Sequence, residues 1–489
     1  MKYPDYGWCI DNNGKELYTA ETKRLSSVFP SERQLSFLNM EYYNFIHFGI
    51  NTFYNREWGD GKEDISVFNP KKLDTDQWCK VLKDTGSKGI IITAKHHDGF
   101  CLFDTKHTDH CVMNTPFKRD IVKELSESCR KYDLKLGIYL SPWDRHDSRY
   151  GTEQYNDYFV SQLTELCTNY GELFCLWFDG ACGEGPNGKK QVYDWERYYE
   201  TIRKYQPDAV ISISGPDVRW IGNEGGRVRK SEWSVIPDEK DSVDAVAENS
   251  QQNADETKTM AKKLSDRDED LGSRELLKNY EKLVFKPAEA DVSINMGWFH
   301  TSNIFAFARR GRSAEKLAEI YWNSVGGNAS MLLNVPPNKD GLIGKSEVRR
   351  LQKFTSLVSK PFEKEIGNCS FSLVTKDGQK RKADATFDEK GESYTFGNDE
   401  LAISVGFSKV QKLSMISLRE DLTKSQRVEQ FHILAKLEDG SFCQVYDGTV
   451  IGSRKIVRFE YPVETDEILI LPTQVRDNPV LKDIHLYSV

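Results

Sequence analysis

Residues 173–180, LFCLWFDG, run through apolar side chains straight into a carboxylate, Asp179, and a glycine, Gly180. A continuous apolar run of this length reads as a strand buried on both faces, as in a parallel sheet covered by helices. A charge at the end of such a strand is costly unless it is paired or used in chemistry. Similar runs recur along the chain: NFIHFGI (44–50), KGIIITAKH (88–96), LKLGIYLSP (134–142), AVISISG (209–215), DVSINMG (291–297) and SMLLNVPP (330–337). Helical spacing fills the gaps. Trp78, Val81 and Leu82 mark one helix face closed by Gly86; Ile121, Val122, Leu125, Cys129 and Tyr132 mark the next; Trp195, Tyr198, Ile202 and Tyr205 mark another. Strands alternating with helices, and polar residues gathering at the strands' C-terminal ends, predict an α/β protein with a (β/α)₈-type, TIM-like barrel, one of whose strands is missing or irregular in the pattern. No G-x-G-x-x-G follows a strand, which disfavours a doubly wound sheet.

At 489 residues the chain exceeds one ordinary core. The barrel is assigned to residues 1–355 and a C-terminal antiparallel β-sandwich to 356–489, because from 363 onward the pattern becomes short alternating strands. Their turn signals are KDGQ (376–379), EKGES (389–393) and EDGS (438–441), and the chain ends in EILILPTQ (467–474) and IHLYSV (484–489). Within the barrel half, 226–286 is dense in charge and reads as a solvated insertion between two strands.

A net charge of -8 and a pI near 5.8, with Lys and Arg mixed among Asp and Glu, give no electrostatic footprint for nucleic acid and suit a neutral substrate. The mean hydropathy of -0.61, with no apolar run approaching the roughly 18 residues of a span, excludes a transmembrane helix. The 10 Trp, 22 Tyr and 25 Phe suit stacking on the C–H faces of sugars, although most will be core. Ten scattered cysteines without a C-x-x-C pair read as free buried thiols rather than a zinc site or disulfide frame. The start, MKYPDYGWCIDNN, has no apolar signal core, so the expected location is cytoplasmic, or periplasmic or secreted if a leader has been removed.

In such a barrel, catalytic groups sit at the C-terminal ends of the strands. The polar residues found there are His47, His96, His97, Asp98, Tyr139, Trp143, Asp144, Asp179 and Glu224. A glycosidase needs two carboxyl groups about the scissile bond, about 5 Å apart when configuration is retained. Asp179 can supply one, the alternative being a helix N-cap at a strand–helix turn. Glu224, in the glycine-rich WIGNEGG (220–226), can supply the other, the alternative being an ordinary loop acid. The pair His96–His97 invites a metal, but successive strand residues face opposite ways. Hydrogen bonding to sugar hydroxyls is the favoured reading over satisfied core histidines.

Taken together, FIHFGINTF (45–53) with REW (56–58), AKHHDGFCLFDT (94–105), GIYLSPWDRH (137–146), LWFDGA (176–181) and GNEGG (222–226) resemble glycoside hydrolase family 29, the α-L-fucosidases. KSEWSVIP (230–237), DLGSRE (270–275), PAEADVSINMGWFH (287–300) and NASMLLNVPPNKDGLIG (328–344) resemble the branch that prefers α-1,3 and α-1,4 fucosyl linkages, as in Lewis-type antigens. REDLTKSQRVEQFHI (419–433) and TVIGSRKIVRF (449–459) resemble its β-sandwich. The resemblance implies Asp179 as nucleophile and Glu224 as acid/base of a retaining enzyme, with Glu289 in PAEADVSI a competing acid/base. It implies a fucose pocket of His47, Glu57, Trp58, His96, His97, Tyr139, Trp177 and Trp298, with Trp143 and Asp144 bordering the aglycone. It implies no metal and no cofactor, and a fucosylated oligosaccharide or glycoconjugate as substrate; oligomeric state is left open. A metal-dependent hydrolase using His96, His97 and Asp98, and a fucose-binding protein with a dead site, are the competing classes.

Overall fold

A computed structural model describes residues 20–238, 264, 266–303, 311–388 and 391–489. Five strands follow one another in the first half: β1 (Tyr42–Ile46), β2 (Gly89–Lys95), β3 (Lys135–Leu140), β4 (Leu173–Phe178) and β5 (Val210–Ile213). Helices Thr75–Lys83, Ile121–Lys131 and Trp195–Tyr205, whose faces the spacing marked, connect them together with Glu153–Asn169, which it did not mark. Three of these helices begin at an aspartate, Asp74, Asp120 or Asp194, whose side chain accepts a first-turn N–H.

β6 (Arg219–Trp220) is the strand hidden from the pattern: two residues leave no periodicity to read. After it come a short hairpin, β7 (Val235–Pro237) with β8 (Leu283–Phe285), and then β9 (Ala288–Ser293) and β10 (Ala329–Asn334). The eight strands β5-β4-β3-β2-β1-β10-β9-β6 are hydrogen-bonded in that order and all in parallel. An isolated bridge from Ser212 to Val218 joins the two ends of the row into a nearly closed barrel. Tyr43, Phe45, Tyr139, Cys175 and Trp177 fill its interior, while Ile46, Ile90, Leu176 and Phe178 face the helices.

The ends of the 226–286 insertion are packed rather than solvated. Val235 and Phe285 are buried with Leu25 and Leu277, and Arg219 forms a buried ion pair with Glu232. Residues 239–263 and 265, the centre of the expected insertion, lie outside the described residues.

The last barrel helix spans Lys345–Ser359, so a cut at 355/356 falls inside it; a 3₁₀ segment, Lys360–Lys364, leads on to the C-terminal half. There β11 (Ser370–Thr375), β12 (Lys380–Lys382), β13 (Tyr394–Thr395), β14 (Glu400–Glu420), β15 (Val428–Lys436), β16 (Phe442–Gly448), β17 (Lys455–Val475) and β18 (Val480–Ser488) form one antiparallel sheet. The 21-residue strands β14 and β17 shift register midway, so that β14 pairs β11 along its first part and β18 along its last. Ile403 and Val405 from one end of β14 share a core with Leu413, Ile416 and Leu418 from the other. This unit docks on the barrel: Arg419 and Arg454 both pair with Glu41, and Met415, Ile456 and Tyr487 join the barrel's outer core. The nine cysteines among the described residues are free thiols. Among these residues no helix is long and apolar enough to cross a membrane.

Candidate active site

The barrel interior beneath the strands' C-terminal ends is unusual in carrying two carboxyl groups. Glu289 on β9 is fully buried and accepts from the Trp177 indole N–H at 2.7 Å and from the Tyr43 hydroxyl. Asp291, two residues on and facing the same way, is pushed well above the carboxylate range by burial and by the charge of Glu289. It therefore keeps its proton and hydrogen-bonds Glu289. Glu289 is thus sealed in the barrel, its oxygens committed to neighbours.

Above this layer the end of β4 delivers Asp179. Its Oδ2 accepts from the Tyr139 hydroxyl at 3.0 Å, its Oδ1 from the Ala181 N–H at 2.7 Å, and Nε2 of His97 lies 3.7 Å from Oδ2. About a quarter of the side chain stays exposed, at 26%. The N-cap alternative does not hold, because the following helix starts only at Trp195 and is capped by Asp194.

The three histidines converge on the same hollow from β1 and β2. His47 is fixed through Nδ1 to Oδ1 of Asn334 at 3.0 Å, and burial pulls its pKa down to about 3. His97 is fixed through Nδ1 to the Ser141 hydroxyl at 2.7 Å. The His96 ring stacks on Tyr139 with centroids 5.6 Å apart, and its Nδ1 is buried without a partner among the described residues. Burial lowers the pKa of His96 and His97 too, so all three rings are neutral at ordinary pH. The metal alternative finds no support in this geometry: Asp98 is committed to Asn51 and to the Phe100 N–H, and no cluster of three metal-binding side chains occurs among the described residues.

Glu57 and Trp298 meet across the mouth. Oε2 of Glu57 accepts the backbone N–H of Trp298 at 2.7 Å and that of Phe299 at 3.3 Å, which holds the segment after β9 in place. The Trp298 ring lies 5.1 Å from His47, and its side chain hydrogen-bonds Glu224. Glu224 itself hangs from the loop after β6. Gly222 and Gly226 have φ of +91° and +68°, and a Cβ would fall 2.0 Å from the Asp266 carbonyl and 2.6 Å from Ile320. The glycines therefore serve the loop's own left-handed turns and tight packing. Desolvation, and then the charge of Asp179, raise the pKa of Glu224, while Trp298 and Arg312 lower it.

At the rim, Trp58 is 54% exposed and stands edge-on to Trp143 and His97, with centroids 5.6 and 5.4 Å away. Trp143 is anchored by its indole N–H to the Glu184 carbonyl at 3.1 Å. Trp177 forms the floor, stacked on Tyr139 at 5.3 Å. Asp144 is a correction to the sequence reading. It is 1% exposed, its Oδ2 paired with Lys95 at 3.0 Å and its Oδ1 taken by the N–H groups of His146 and Asp147, so no oxygen is left for an aglycone. Sequence reasoning missed Asn334, Ser141 and Asp291. The first two stand at strand ends, where the rule that found Asp179 would also have found them.

A nearly closed parallel barrel with a carboxylate at the end of β4, a second on a facing loop and a neutral pocket of histidines and aromatics defines a glycoside hydrolase. A family model, Alpha-L-fucosidase, matches residues 34–360. Alpha-L-fucosidase 1 of Arabidopsis thaliana is 34% identical over 476 residues, covering 94% of this chain and 87% of the plant protein. A putative alpha-L-fucosidase from Bacteroides ovatus superposes with a TM-score of 0.82 at 37% identity, over 100% of this chain and 77% of that one. A Ruminococcus gnavus GH29 fucosidase solved in complex with fucose gives 0.78 at 27% identity, over 94% and 95%. The chain belongs to the α-L-fucosidase family, glycoside hydrolase family 29, and is an α-L-fucosidase.

Proposed function

We propose that this α-L-fucosidase releases terminal fucose with retention of configuration, Asp179 forming a fucosyl-enzyme and Glu224 acting first as acid and then as base. The observation that carries this reading is the contrast between the two carboxyls. Asp179, about a quarter exposed, is held by the Tyr139 hydroxyl and the Ala181 N–H with its carboxylate turned into the pocket. Glu224 is biased towards its protonated form by desolvation and by the charge of Asp179. That division matches a nucleophile and an acid/base in a retaining glycosidase. Glu289 is unsuited to the second role because it is sealed below the pocket.

In the forward step Asp179 attacks the anomeric carbon as Glu224 gives its proton to the leaving oxygen. In the second step Glu224 takes a proton from water, which releases fucose. The neutral histidines receive the sugar hydroxyls, and Trp298 shelters the apolar 6-deoxy edge. The exposed Trp58, beside Trp143, and Met296, 42% exposed after β9, offer apolar surface for a further sugar. With the branch motifs read in the sequence, this supports α-1,3/1,4-linked, Lewis-type substrates over a broad range. The test is a comparison of fucose release from Lewis a and Lewis x trisaccharides, 2′-fucosyllactose and an aryl fucoside. The branched trisaccharides are expected to be cut at least tenfold faster, and equal rates would overturn the linkage preference.

A further inference from the structure

The hydrogen bonds behind two of the pocket histidines leave no freedom in where their protons sit. Asn334, at the end of β10, donates through Nδ2 to the Trp298 carbonyl at 2.7 Å and to the Ser293 hydroxyl oxygen at 2.9 Å. A carbonyl oxygen only accepts, so the amide nitrogen must be on that side and the amide oxygen must face His47. That oxygen receives the His47 backbone N–H at 3.2 Å and meets Nδ1 at 3.0 Å. Nδ1 is therefore the protonated nitrogen of a neutral ring. Nε2 is then the nitrogen that keeps its lone pair.

Ser141 does the same for His97. Its Oγ lies 2.6 Å from the Trp143 carbonyl, which takes the hydroxyl proton, so Oγ can only accept from Nδ1 of His97 at 2.7 Å. Nε2 of His97 then turns its lone pair towards Oδ2 of Asp179, 3.7 Å away. Two acceptors face each other there, and a hydroxyl donating into that gap would relieve the repulsion.

We propose that Asn334 and Ser141 are positioning residues that lock His47 and His97 with unprotonated Nε2 atoms facing the pocket, so that the site selects a ligand whose hydroxyls act as donors at two positions. The inference rests on the reading that this pocket holds fucose. It goes beyond that reading in assigning the direction of two hydrogen bonds and the residues that set it. Neither Asn334 nor Ser141 touches the sugar in this account; each acts through a histidine.

The test compares inhibition of the full-length enzyme by fucose, by its monodeoxy analogues and by its monodeoxyfluoro analogues. Fluorine cannot donate a hydrogen bond. At two ring positions the fluoro and deoxy analogues are expected to be equally weak, each roughly tenfold or more worse than fucose. Fluoro analogues that bind like fucose where deoxy ones fail would overturn the proposal, since the histidines would then be donors. Nitrogen-15 spectra of the histidine side chains in the unliganded enzyme read the tautomers without any ligand. Both rings should show protonated Nδ1, and an Nε2–H signature for His47 would overturn the role of Asn334. If fucose fails to bind while the spectra show Nδ1–H, it is the fucose reading that falls. In Asn334→Asp, the new carboxylate beside Nδ1 favours the imidazolium, so fucose inhibition should weaken as pH falls from 8 to 6 and regain its strength at high pH. A uniform weakening at all pH values would mark Asn334 as merely structural.

Discussion

The charge of Asp179 bears directly on Glu224: after burial it is the largest influence raising the pKa of that carboxyl, with Trp298 and Arg312 opposing. In the proposed mechanism this is the coupling the first step needs, since the charge of the attacking carboxylate helps its partner keep a proton. Glu57 is also raised, by burial first and to a lesser degree by the charge of Glu224.

The sign of this coupling sets a pH dependence. An acid whose pKa is raised stays protonated to higher pH, so activity on a poor leaving group should fall as pH rises through a value above the ordinary glutamate range near ~4.3. Removing the Arg312 charge in Arg312→Met should move that limb upward, because the guanidinium lowers Glu224, whereas Arg312→Lys should leave it nearly in place. Profiles of kcat/KM against pH for the three enzymes decide it, and an unmoved limb in Arg312→Met would contradict the assignment.

Tyr139 donates to Asp179 while its ring is stacked between His96 and Trp177. Tyr139→Phe keeps the stack and deletes a charge-assisted hydrogen bond of about 1.5–3 kcal/mol. A fall in kcat/KM of roughly 10- to 100-fold with an unchanged circular dichroism spectrum is expected. An unaltered rate would remove Tyr139 from the account.

Glu289 should matter for stability. Glu289→Ala leaves the buried Tyr43 hydroxyl and Trp177 N–H unpaired, at about 1–3 kcal/mol for each. Thermal unfolding should shift down by several degrees, with Glu289→Gln intermediate because one amide oxygen still accepts.

The Lys95–Asp144 pair is fully buried, with Lys95 against the rings of Tyr155, Tyr158 and Phe159. Burial alone would raise Asp144, but Lys95 and the backbone N–H groups leave its pKa below the ordinary value. Its contribution to stability is therefore present above the unfolded carboxylate pKa and is lost as pH falls through the folded one. Lys95→Met strands the acid and should cost about 3–5 kcal/mol near neutrality. The difference from the parent should shrink in acid, where Asp144 takes up a proton. Denaturant midpoints at pH 7 and pH 4.5 measure both.

Most of the barrel was legible because parallel strands are buried on both faces and write themselves as apolar runs. β6 was not, since two residues carry no period. β9 begins at Ala288, three residues before the apolar run suggested, because the carboxyls of Glu289 and Asp291 point into the barrel and break the pattern. The same polar-at-strand-end rule that found Asp179 misread Asp144, whose partner Lys95 lies 49 residues away in β2 and becomes visible only in three dimensions. The glycines around Glu224 read correctly as a special loop, although the structure ties them to backbone conformation and packing rather than to a ligand.

The central claim, Asp179 as nucleophile and Glu224 as acid/base, is tested most directly by azide rescue on an aryl α-fucoside with a good leaving group. Asp179→Ala should be revived by azide to give the β-fucosyl azide, azide replacing the missing nucleophile from the opposite face. Glu224→Ala should give the α-fucosyl azide, azide attacking the fucosyl-enzyme that Asp179 still forms. Rescue of Glu289→Ala in place of Glu224→Ala, or the β product from Glu224→Ala, would contradict the account.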